Sequence, residues 1–181
     1  MVSQIKLPIT KFDAAKRQLE TAIRLWFYSG DPVSIHTLVA AAHQVLHDLS
    51  KKHGGQPSMR DAGVYIKPEA RDRYFKIITE AENFFKHANR DPEATLFFKP
   101  EVTPFYLMDS VMVYESITGE FVPVFKVFAG WMLLHYPEIL KEEHKAKFDE
   151  NQIALEQARQ KLSKADFFAA LLPIMMKHQG I

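Results

Sequence analysis

The chain has 181 residues, no cysteine, and 23 Lys plus Arg against 22 Asp plus Glu, for a formal charge of +1 with neutral histidines. This length suits one domain with a proper core, and the charge balance supplies no global drive towards nucleic acid or a membrane surface. The lack of cysteine excludes disulfide scaffolds and thiolate zinc modules.

Apolar positions recur at a period of about 3.6 residues, so the elements read as helices. Residues 13–28 place Ala15, Leu19, Ala22 and Trp26 on one stripe with Ile23 beside it, and Ser29-Gly30-Asp31-Pro32 ends that helix and caps the next. The second helix, about 32–52, turns Ile35, Leu38, Val39, Ala42, Leu46 and Leu49 inward and stops at His53-Gly54-Gly55, followed by a loop to Lys67. A third runs from Pro68 to Asn89, with Tyr74, Phe75, Ile78, Ala81, Phe85 and Ala88 on its apolar face. Glu93–Pro104 carries prolines and reads as irregular.

Phe105–Thr118 and Phe121–Tyr136 read as the most buried helices, divided at Gly119, with Pro123 in a first turn where its missing N–H costs little. Phe121–Phe128 shows some strand-like alternation but has no partner with matching alternation nearby, so it stays helical. A charged helix over Pro137–Leu162 follows, and Ser163 caps a last one carrying Phe167, Phe168, Leu171 and Leu172. The expected architecture is all-α: a single-domain helical bundle of six or seven helices over residues 1–181. The opening residues lack the apolar core of a signal peptide, and no run approaches the length of about 18 apolar residues needed to span a membrane, so the expectation is a cytoplasmic protein.

Charge is unevenly placed. Residues 1–90 hold 14 Lys/Arg and 9 Asp/Glu, whereas residues 91–181 hold 9 and 13. Two complementary halves of one bundle explain this, as does a basic face for an anionic ligand; the first explanation is favoured. Both histidine groups lie in the basic half.

His36, His43 and His47 stand seven and four residues apart, which lines them up on one side of the second helix at the border of its apolar face. An i, i+4 histidine pair can hold one divalent transition metal, and Glu80, Asp109 or Glu115 from another helix could complete the set. No Glu-x-x-His pair and no intervening zincin glutamate accompany them. Asp109 and Glu115 sit on otherwise apolar helices, where a carboxylate needs a partner.

Asn83, His87 and Arg90 fall at i, i+4 and i+7 on a polar face of the third helix, flanked by Lys76 and Glu80. An amide, an imidazole and a guanidinium suit an anionic or phosphate-bearing ligand. The plain alternative is a solvated last turn whose basic residues complement the helix dipole. Two apolar stretches, Phe105-Tyr106-Leu107-Met108-Asp109 and Phe128 to Tyr136, are candidates to line a ligand pocket.

Glu82-Asn83-Phe84-Phe85-Lys86-His87 resembles the Arg-Asn-x-x-x-His segment of HEPN domains, helical bundles found as ribonuclease toxins and as partners of nucleotidyltransferases. Leu25 to Asp31 followed by His36 to His43 is similar to the Ala-rich helix pair of those domains, so the resemblance covers residues 13–91. It implies that Asn83 and His87 occupy the motif positions. The motif arginine is absent: the three positions open to it hold Glu80, Ala81 and Glu82, and no other histidine is preceded by an arginine at that spacing. Nuclease chemistry is therefore not carried over, and Glu82 would repel an RNA phosphate. The expectation is a HEPN-like binding protein, self-associating as a homodimer, that takes a nucleotide, an RNA or a protein partner and needs no cofactor. The alternative is a metal-dependent enzyme using His36, His43 and His47.

Overall fold

The computed structural model describes residues 6–64, 66–89, 91–137 and 161–179, and among these it contains six α-helices and no strand. They are α1 (Lys11–Phe27), α2 (Pro32–His53), α3 (Pro68–Lys86), α4 (Thr103–Thr118), α5 (Pro123–His135) and α6 (Lys164–His178). The all-α class expected from the periodicity is what the chain adopts. Most of the charged helix expected over Pro137–Leu162 lies outside the described residues.

Local signals set most of the boundaries. Thr10 and Asp13 form a reciprocal capping box at the start of α1. Asp31 accepts from the Ser34 N–H at 2.7 Å with Pro32 behind it, which starts α2 only a few residues after α1 stops. Gly54 and Gly119 end α2 and α4 in the left-handed conformation, with φ of 74° and 63°. Ser163 caps α6 by accepting from the Asp166 N–H.

The core is one continuous cluster. Ala15, Leu19, Ala22 and Ile23 of α1 pack against Ile35, Val39, Ala42 and Leu46 of α2, and α2 packs on its other side against Leu107, Val111 and Tyr114 of α4. The small alanines let α1 and α2 approach closely. At one end Phe27, Trp26, Phe128, Trp131, Phe167 and Phe168 meet edge-to-face or tilted, which ties α1, α5 and α6 together. Such pairs add about 1 kcal/mol each beyond area burial.

α3 is different. It packs against α2 and a 3₁₀ segment, Met59–Val64, and only Ile78 and Glu82 of the helix are buried. It stops at Lys86 rather than continuing to Asn89, because His87 turns extended at φ −133° and ψ 123°. The cause is packing: Phe85 is the last apolar side chain of α3 with a partner inside, against His36 and Phe98, and Lys86 to Asn89 are exposed. A turn with nothing to bury has little to hold it helical.

Among the described residues, the ion pair of Lys16 with Glu120 joins the basic half to the acidic half, whereas Arg60–Glu82, Lys86–Glu82, Lys51–Asp61 and Lys126–Glu115 stay within one half.

Candidate functional site

The histidine line of α2 faces inward. His36, His43 and His47 are buried, not on the border, because α4, the 3₁₀ segment and α3 cover that side of α2. Each one meets a different partner. His36 Nδ1 lies 3.0 Å from the Thr103 hydroxyl, while its Nε2 has no hydrogen-bond partner among the rings of Phe85, Phe98 and Tyr106. Burial holds the His36 pKa below the ordinary histidine value.

His43 is fully enclosed, and both its ring nitrogens are engaged. Arg60 Nε donates to Nδ1 at 3.1 Å, so the ring proton sits on Nε2, which donates to Asp109 at 2.6 Å. The same Asp109 oxygen accepts from the Met59 N–H at 3.0 Å. Arg60 pairs through its other arm with Glu82, which is 7% exposed and also takes the Lys86 ammonium at 2.7 Å. Burial pushes the Glu82 carboxyl up, and the two cations more than offset it, so its pKa ends below the usual value. Tyr106 donates to the Ile78 carbonyl and Tyr74 to the Met59 carbonyl, which anchors α3 to the same network.

His47 Nδ1 meets the Ser58 hydroxyl at 2.8 Å, and Asp61 lies 3.3 Å away. Ser58 in turn donates to Asp61 from its hydroxyl and its N–H. Burial, partly countered by Asp61, lowers the His47 pKa.

Of the three carboxylates offered as completing ligands, Asp109 alone reaches a histidine of the line. Glu115 pairs with Lys126 on α5, and Glu80 is exposed on the far side of α3. Among the described residues no group of three or more His, Asp or Glu is gathered around one point. A metal at His43 would have to displace two hydrogen bonds.

Asn83 and His87 line a cleft of about 760 Å³ between the outer face of α3 and the segment from Asn89 to Leu96. Lys76, Thr79, Glu80 and Phe84 complete the helix side, and Asp91 lies opposite. Asn83 and His87 are exposed, and the His87 N–H donates to the Asn83 carbonyl at 3.0 Å. Arg90, expected beside them, lies outside the described residues. This cleft and the histidine line do not converge: Ile78, Glu82 and Phe85 of α3 turn towards the histidines, and the cleft residues turn away.

Sequence reasoning missed Arg60, Ser58 and Asp61, which lie in a stretch read only as a loop. It also read Glu82 as an anion that repels an RNA phosphate. A signal was present for Glu82, since it stands four residues after Ile78 and three before Phe85, on the apolar stripe itself. For Arg60 no periodic signal exists.

Comparison with family models, with curated proteins and with solved structures returns no match for this chain. The likeness to HEPN domains therefore rests on the residues that carry it.

Proposed function

We propose that this protein is a HEPN-like helical binding module, without nuclease activity, whose outer α3 cleft takes a mononucleotide. The observation that carries this reading is the presence of Asn83 and His87, the two motif positions, side by side in one cleft with Lys76 and Phe84. The volume of about 760 Å³ lies in the range of small-molecule sites. Lys76 and His87 suit a phosphate, Asn83 can read a base or ribose edge, and Phe84 supplies a stacking face.

Glu80 and Asp91 line the same cleft. A polynucleotide tracking its length would bring phosphates against both carboxylates, whereas a single nucleotide can keep its phosphate at the cationic side. This favours a nucleotide over an RNA strand. Glu82 does not repel the ligand as the sequence suggested, because its charge is spent inside on Arg60 and Lys86. No described helix is long and apolar enough to cross a membrane, and the proposed setting is the cytosol, with self-association into a homodimer.

Isothermal titration of the full chain with adenosine, guanosine, cytidine and uridine monophosphates tests the reading. Saturable binding of at least one, weakened by Asn83→Ala with His87→Ala, supports it; no binding to any sinks it. The metal-dependent alternative draws on the contact between His43 and Asp109, and stoichiometric zinc, iron or manganese in untagged protein would favour it instead.

A further inference from the structure

A second cleft, of about 370 Å³, lies where the end of α1, the starts of α2 and α4, Tyr136 and the first residue of α6 meet. Trp26, Pro104 and Tyr136 give it apolar walls, and Ser29, Glu101 and Lys164 are polar groups in its lining. Ser29 is held at φ 55°, a left-handed conformation that costs free energy in a residue with a side chain. Sites that keep such strain are often ligand sites.

Lys164 is the informative residue. Its ammonium lies 4.2 Å from the centre of the Trp26 ring and donates to the Trp26 carbonyl at 3.4 Å. An ammonium has three N–H donors, so this accounts for one of them. Lys16, Lys51, Lys86 and Lys126 each meet a carboxylate, but Lys164 meets none among the described residues, although it is half-buried. Its burial also lowers its pKa. Glu101 lines the same cleft and is exposed, and it makes no ion pair with the ammonium.

We propose that this cleft binds a small aromatic carboxylate, its carboxylate on the Lys164 ammonium and its ring between Trp26 and Tyr136. A carboxylate supplies a counter-charge that no described residue supplies, and two acceptors for the remaining donors. The aromatic walls take a flat apolar body, and the cleft is too small for a macromolecular segment of any length. Glu101 in the lining disfavours a phosphate dianion by like-charge repulsion and tolerates a single negative charge better. This site shares no residue with the α3 cleft, so the two readings stand or fall separately.

The test uses the full chain with 2-naphthoate and its neutral isostere 2-naphthamide, followed by titration calorimetry and by the indole N–H signal of Trp26. Naphthoate is expected to bind, to shift that signal, and to bind roughly tenfold more tightly than the amide, the range of one charge-assisted contact. Lys164→Met is expected to abolish the preference and Lys164→Arg to retain it. The comparison on the unaltered protein needs no variant, so a folding defect in either one leaves the result readable. Equal binding of acid and amide, absence of naphthoate binding, or an unchanged preference in a folded Lys164→Met protein would each overturn the proposal.

Discussion

Arg60 donates through Nε to Nδ1 of His43 at 3.1 Å, and this one contact settles the protonation of a fully enclosed ring. A guanidinium has no acceptor, so Nδ1 must be bare and Nε2 must carry the proton that points at Asp109. The result is a chain of alternating polarity from Asp109 on α4, through His43 on α2 and Arg60 on the 3₁₀ segment, to Glu82 on α3. α3 has few buried apolar residues of its own, and this chain joins the packing of Ile78 and Phe85 and the Tyr106 and Tyr74 hydrogen bonds in tying it to the bundle. It supports the outer cleft, since the face of α3 that carries Asn83 is presented by the face that carries Glu82.

Removing one member should therefore cost more than a surface pair would. Arg60→Met leaves Glu82 buried with Lys86 alone and His43 without its donor, and the expected loss is about 3 kcal/mol in urea unfolding. Arg60→Met combined with Glu82→Met should lose less than the sum of the two single changes by about 1 kcal/mol or more. Additive losses would show that the pair is not coupled.

Asp109 separates charge from hydrogen bonding. A single carboxylate oxygen accepts from both His43 Nε2 and the Met59 N–H, and an amide oxygen can do the same. Asp109→Asn should cost about 1 kcal/mol or less, while Asp109→Ala, which orphans two donors, should cost about 2–4 kcal/mol. Equal losses in denaturant melts would mean that the negative charge itself matters.

Acid should destabilise the fold in two stages. His36 and His47 have folded pKa values lowered by burial from 6.5, so the unfolded chain binds their protons first, and stability falls as pH drops through and below 6.5. Glu82 and Asp61 are also lowered, from 4.5 and 3.8, and their contribution is present above those values and lost as pH falls below them. His36→Leu removes the partnerless Nε2 but also the Nδ1 contact to the buried Thr103 hydroxyl, so it should make the first stage shallower at a cost of about 1 kcal/mol at neutral pH. Thermal melts at about pH 7.5 and about pH 5.5 on both proteins measure this; an equal drop in the two proteins would remove His36 from the account.

Asn83→Ala with His87→Ala should leave stability within about 0.5 kcal/mol, since both residues are exposed, and should weaken mononucleotide binding about tenfold. Calorimetry of binding beside a urea melt checks both halves. A folded variant that binds as before would remove these residues from the site, and an unfolded one would show them to be structural.

Most helix boundaries were legible from short-range chemistry. Asp31-Pro32, Gly54, Gly119 and Ser163 act through their own neighbours, so their effect is readable without knowing what packs where. The end of α3 was not legible, because no local residue stops it; it ends where its inward contacts run out at Phe85. The inward turn of the histidine line was half legible. Spacing put the three on one side of α2, but only the arrival of α4 and the 3₁₀ segment decided that this side is interior.

By itself the sequence determined the helical class and the alignment of His36, His43 and His47, since both follow from the 3.6-residue repeat within a helix, whereas Asn83 and His87 share a cleft although His87 stands just past the end of α3. The tertiary structure decided which histidine meets which acid, that Glu82 is an inward anchor, and that Lys164 faces Trp26. These relations join residues 14 to 138 positions apart, and contacts at such separations depend on how whole elements dock, which no local pattern encodes.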